Sequence, residues 1–113
     1  MRSPITITSS YEDIQEAMPE MYLTEVIRFI VITSEDILLE YPHKLLPYEK
    51  RMLKRLAGKS IKWAMGRNKD IGQCRRRIGA ILSDVLLVVQ RLPQAAKAVI
   101  NANLSETTID HEL

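Results

Sequence analysis

Six cations recur at helical spacing between residues 50 and 62: Lys50, Arg51, Lys54, Arg55, Lys59 and Lys62. Lys and Arg gathered on one face neutralise phosphates and displace counterions, so a row of this kind is chemistry for a polyanion. Arg67 and Lys69 extend the row, and Arg75, Arg76 and Arg77 follow. From Lys44 to Arg77 there are twelve Lys or Arg against two acids, Glu49 and Asp70. That balance of +10 stands in a chain whose formal net charge is only +2. The first 43 residues run the other way, with Arg2 and Arg28 against eight acids. Segregation of this kind attracts polyanions to one surface while a neighbouring acidic surface repels or replaces them.

These residues predict a small non-catalytic nucleic-acid-associated protein, of a regulatory kind, that holds the phosphate backbone through a basic helix, a basic turn and the start of a second helix. The binding residues assigned are Lys50, Arg51, Lys54, Arg55, Lys59, Lys62, Arg67, Lys69 and Arg76. Arg76 is included because it points directly away from the apolar seam of its helix, whereas Arg75 and Arg77 flank that seam. The alternative is an interaction adaptor whose basic helix docks an acidic protein surface. A solvated face balanced by the chain's own acidic first third would look the same in sequence. A membrane-surface helix is less suited, because the Leu56 and Trp63 side opposite the cations is needed for a core.

Other chemistry is poorly provided for. Ala57-Gly58-Lys59-Ser60 ends like a phosphate-binding loop, but Leu53 stands where that motif needs its first glycine, and no strand precedes it. Cys74, His43 and His111 are too far apart for paired metal ligands. Cys74 falls on an apolar seam, as a small core residue would. The acids Glu12-Asp13 and Glu35-Asp36 suit the first turns of helices better than acid–base catalysis, since adjacent helical positions diverge by about 100°. No enzyme activity, catalytic residue, metal or cofactor is expected.

The elements that must position the cations follow from punctuation and periodicity. The chain is 113 residues long and 46% apolar, with few aromatics, four Gly and five Pro, which fits one aliphatic-cored domain and argues against a many-turned β-sandwich. Residues 1–10 read as a flexible arm, 11–103 as one helical domain, and 104–113 as a flexible acidic tail. Ser10 precedes a short helix that Pro19 interrupts. Residues 20–41 favour helix, although Ile30-Val31-Ile32-Thr33 would also suit a buried strand. Thr33-Ser34-Glu35-Asp36 resembles a cap that would split the segment into two helices.

Residues 47–66 form an amphipathic helix with Met52, Leu53, Leu56, Ala57, Ser60, Trp63 and Ala64 on one side and the six cations on the other. Asn68 is a candidate cap for the next helix, 69–92, whose Ile71, Cys74, Ile78, Ile81, Val85, Val88 and Leu92 make an unbroken three-four repeat. Gly72, Gly79 and Ser83 offer that helix a second side for close approach, so it is either central or at a subunit interface. A homodimer is expected, with Ile78, Ile81, Val85, Leu87 and Val88 at the interface. A further Ala-rich helix follows Pro93.

The expected fold is therefore all-α, a compact bundle of four to five helices with a long heptad-patterned helix near 69–92. No apolar run is long enough for a transmembrane segment. One cysteine allows no internal disulfide, which fits a reducing intracellular compartment.

Overall fold

The structure is a computed structural model that describes residues 5–66 and 70–108. Its described residues form five α-helices: α1 (Tyr11–Ala17), α2 (Leu23–Glu40), α3 (Pro47–Met65), α4 (Ile71–Val89) and α5 (Gln94–Thr108). Short 3-10 turns, Met18–Glu20 and Pro42–Lys44, join the first three. Local chemistry sets most boundaries. The Asp13 N–H donates to Ser10 Oγ at 3.1 Å and the Ser10 N–H donates to Asp13 Oδ2 at 3.4 Å, a reciprocal cap on α1. Pro19 lacks the N–H an α-helix interior requires, so the chain tightens into a 3-10 turn there. Pro47 opens α3 at a position where a missing N–H costs nothing. The cap of α4 is Asp70, whose Oδ1 accepts from the Gly72 N–H at 3.0 Å; the expected cap, Asn68, lies outside the described residues.

Helix α4 is the centre of the bundle, packed by α1, α2 and α3. Gly79 shows how closely α1 approaches. A Cβ at that position would lie 2.9 Å from Met18 Cγ and 3.0 Å from Gln15 Nε2. At Gly79 the second close-approach side read from Gly72, Gly79 and Ser83 is thus occupied by α1 of the same chain, whereas at Gly72 the nearest side chains are Asp70 and Arg76. This burial also corrects the expected subunit interface. Ile78, Ile81, Val85 and Val88 belong to a single core with Val26, Ile30 and Ile37 of α2 and Leu53 and Leu56 of α3. Only Leu87 of the five is exposed, at 65%. Burying a large aliphatic side chain stabilises by roughly 1.5–3 kcal/mol, and here the chain supplies that cover itself. No second copy is needed for it.

Three further boundaries differ from expectation. Helix α2 runs unbroken through Thr33 and Ser34, both of which are buried. Packing on the inner face outweighs their local preference for a cap. The arm is docked: Ile5 is buried, the Ile7 N–H donates to Asn101 Oδ1 at 2.9 Å, and the Gln90 amide donates to Ile7 O. At the other end, α5 continues past residue 103, and Leu104 is fully buried. Among the described residues no helix is long and apolar enough to cross a membrane.

Candidate polyanion-binding surface

Helix α3 sorts its residues by the 3.6-residue period. Leu53, Leu56 and Ser60 turn inward and are buried. Glu49 falls on the same inward arc and is buried with them, only 3% exposed. The opposite arc carries Arg51, Lys54, Arg55, Lys59 and Lys62, all exposed, and Lys50, which is half-buried. Gly58 lies within this arc with open space around it, and exposed Ile61 lies at its edge. Five pairs of these cations, Lys50/Lys54, Arg51/Lys54, Arg51/Arg55, Arg55/Lys59 and Lys59/Lys62, sit three or four residues apart, so neighbours repel by a few tenths of a kcal/mol each in the absence of a counter-charge. The arrangement works against the helix's own stability unless an anion meets it.

The charge is left largely uncompensated by the protein. Glu49, the only acid in α3, is engaged inward. Its Oε1 accepts from the Leu46 N–H at 2.8 Å, and its Oε2 is 2.5 Å from Arg91 Nη1. Among the described residues, none of the six cations forms an ion pair with an acid of the first third of the chain. The one acid of α4, Asp84, lies in the field of Arg55 and Lys59. Partial burial raises its carboxyl above the ordinary value of 3.8, while Arg55 and then Lys59 pull it back down. Asp84 thus tempers the middle of the basic row.

The arginine triplet divides three ways. Arg77 is the member that adjoins α3: its guanidinium stands 5.8 Å from the centroid of the Trp63 ring, within cation–π range. Arg76, the member assigned to the site from sequence, is exposed on the side of α4 that faces α1, beside Tyr11, Gln73 and Ala80. It does not adjoin the row on α3 in the way Arg77 does. Arg75 is structural, donating from Nη1 to Met18 O at 2.8 Å and Met21 O at 2.6 Å, which ties α4 to the 3-10 turn. Arg67 and Lys69 lie outside the described residues. Sequence reasoning missed Arg77 and Asp84. The signal available was their place on α4, since both fall on the arc that faces α3.

Elsewhere the chemistry-bearing residues stand apart. Ala57-Gly58-Lys59-Ser60 is interior to α3, and Ser60 Oγ donates to Ala57 O at 2.9 Å. Cys74 is buried in the core. His43 is exposed in the turn before α3, and His111 lies outside the described residues. Among the described residues, no three His, Cys, Asp or Glu side chains converge as metal ligands would. No family model matches the chain, and no curated protein or solved structure is detectably similar to it.

Proposed function

We propose that this protein is a non-catalytic nucleic-acid-associated protein that grips the phosphate backbone with the outer face of α3. The observation that carries the reading is the pairing of an exposed row, Arg51, Lys54, Arg55, Lys59 and Lys62, with the inward burial of Glu49, the one acid on that helix. From Lys50 to Lys62 the row spans about 18 Å at the rise of an α-helix. Duplex DNA carries one charge per about 1.7 Å of axis, so a row of that length meets several phosphates at once. Arg77 adds a further cation at its margin, held against Trp63. The row is made of solvent-exposed Lys and Arg, so affinity comes mainly from backbone contacts and sequence preference is weak.

The test is a titration of duplex and single-stranded oligonucleotides at several salt concentrations. Five released counterions give a slope of log K against log salt of about −4 to −5 on duplex DNA. Lys54→Glu with Arg55→Glu removes binding while leaving the far-ultraviolet dichroism of the bundle unchanged. Absence of binding at low salt, or binding that the double reversal leaves intact, overturns the proposal.

A further inference from the structure

Given the phosphate grip proposed for α3, we infer that its nucleic acid is single-stranded, with phosphates on the outer cations and bases turned towards α4, where Tyr48 stacks one of them. Tyr48 is 56% exposed. At the 100° step of an α-helix it falls about 20° from both Arg55 and Lys59 around the axis, which places the ring within the basic arc. The α4 edge of that arc is marked at two further points. Arg55 and Lys59 act on Asp84 of α4, and the Trp63 ring lies 5.8 Å from the guanidinium of Arg77 of α4. Tyr48, Arg55, Lys59 and Trp63 lie within about 80° of one another, so by angle Tyr48 belongs to the same edge. From Tyr48 to Trp63 this edge is about 22 Å long.

Each end of the edge holds an aromatic ring, and its middle holds an acid. The negative charge of Asp84 disfavours phosphate at that middle point. The backbone of a bound strand therefore runs along the outer cations, Arg51, Lys54 and Lys62, and its neutral bases take the edge. Arg77 is exposed, and a guanidinium plane stacks an unpaired base as an aromatic ring does. The far end thus offers a second platform, Trp63 with Arg77. In a duplex each base face is covered by its neighbours, and a ring on the outer surface of a protein helix meets none of them. An unpaired base has free faces. Stacking on aromatic side chains is the sequence-tolerant contact that single-strand binders add to a basic track. The ligand is extended, so the two platforms serve successive bases and need not converge on one point.

The experiment titrates the full chain with three labelled probes: an oligothymidylate of about 12 nucleotides, an abasic strand of the same length, and a hairpin duplex of about 12 base pairs. The abasic strand carries the same phosphates without bases. Oligothymidylate binds at least about fivefold more tightly than the abasic strand. At about 0.15 M salt it also binds more tightly than the duplex, because screening weakens the phosphate contacts and leaves stacking intact. Emission of Trp63, the only tryptophan, falls with oligothymidylate and not with the abasic strand. Tyr48→Ala removes most of the advantage of oligothymidylate, leaves the abasic strand and the duplex within about twofold of their wild-type affinities, and keeps the salt slope, since no charge is lost. Tyr48→Phe keeps the ring and the advantage. Equal wild-type affinity for the oligothymidylate and abasic strands, tighter binding of the duplex at that salt, or a Tyr48→Ala loss shared equally by all three probes overturns the inference while phosphate binding by α3 stands. Absence of binding to every probe at low salt overturns both.

Discussion

Arg91, in the turn after α4, reaches Glu49 at the start of α3, with Nη1 2.5 Å from Oε2. The other oxygen of the same carboxylate accepts from the Leu46 backbone N–H at 2.8 Å. One buried acid therefore caps a helix and ties it to the far end of another. The same inward turn removes the only negative charge from α3's outer face, so a stability device and the basic surface share a cause.

Truncating Arg91 tests that tie. The Glu49 side chain is 4% exposed and that of Arg91 is 47% exposed. Arg91→Ala leaves the carboxylate buried with the Leu46 N–H as its remaining partner. A fully buried pair broken in this way costs roughly 3–5 kcal/mol; with one partner half in water the expected loss is about 2 kcal/mol. Glu49→Gln keeps an acceptor oxygen for one of the two donors and turns an amide N–H towards the other, and is expected to lose about 1–3 kcal/mol. Urea denaturation measures both. A loss for Arg91→Ala below about 0.5 kcal/mol would mean the pair behaves as an ordinary surface contact.

Two glycine-to-alanine substitutions should move stability in opposite directions. At Gly58 nothing lies within 4 Å of an added Cβ, so Ala gains its helical advantage of about 0.8–1 kcal/mol. At Gly79 the same Cβ meets Met18 Cγ at 2.9 Å and Gln15 Nε2 at 3.0 Å. Met18 is buried and cannot swing away, and the Gln15 amide is held by its bond to Arg76 O at 2.8 Å. Overpacking costs typically 1–3 kcal/mol, so Gly79→Ala is expected to be destabilised by about 1 kcal/mol after the helical gain. Thermal melts of the two variants should shift up and down respectively. A rise for Gly79→Ala would show that α1 is not held against α4.

Ser34 carries an unpaired hydroxyl in the core. Its Oγ is buried and has no hydrogen-bond partner among the described residues. Replacing it with a methyl group removes that desolvation cost and improves helix propensity, so Ser34→Ala is expected to stabilise by about 0.5–2 kcal/mol. The midpoint of chemical denaturation checks this. A loss of more than about 1 kcal/mol would indicate that the hydroxyl does have a partner in solution.

How much of this was legible in the sequence depends on the range of the interactions involved. The two faces of α3 and the inner stripe of α4 were readable because each repeats along its own helix. The unity of α2 was not, because Thr33-Ser34-Glu35-Asp36 satisfies every local condition for a cap. Only the burial of Thr33 and Ser34 inside the bundle decides against it. The docked arm was equally hidden, since the Ile7 backbone finds its partners in Gln90 and Asn101 on distant segments. The stripe of α4 was read as buried and is so from Cys74 to Leu92, whereas Ile71 at its start is exposed, and sequence could not say whether the cover came from this chain or another. On α3 the cations were evident, whereas the fate of Glu49 depended on its angular position and on Arg91, which no local pattern links to it.

Asp84 couples stability to the basic surface through pH. Its folded-state carboxyl is raised above 3.8, chiefly by desolvation, so the folded chain holds that proton more tightly than the unfolded chain does. The resulting stabilisation is fully present below the unfolded value and is lost as pH rises through the folded one. Asp84→Asn cannot ionise and lacks this dependence. The stability of the wild type relative to the Asn variant should therefore decline as pH rises from about 3 towards 7, with the change beginning near the unfolded carboxyl value. Paired denaturation curves across that range measure it, and a flat or rising difference would contradict the raised value. Arg55 and Lys59 lower the same carboxyl, so Arg55→Gln with Lys59→Gln should extend the decline to higher pH. At neutral pH the Asn substitution also removes the negative charge that tempers the centre of the row, and oligonucleotide affinity at low salt should increase. The increase should shrink as salt is raised, because screening weakens the influence of a charge that lies beside the bound phosphates.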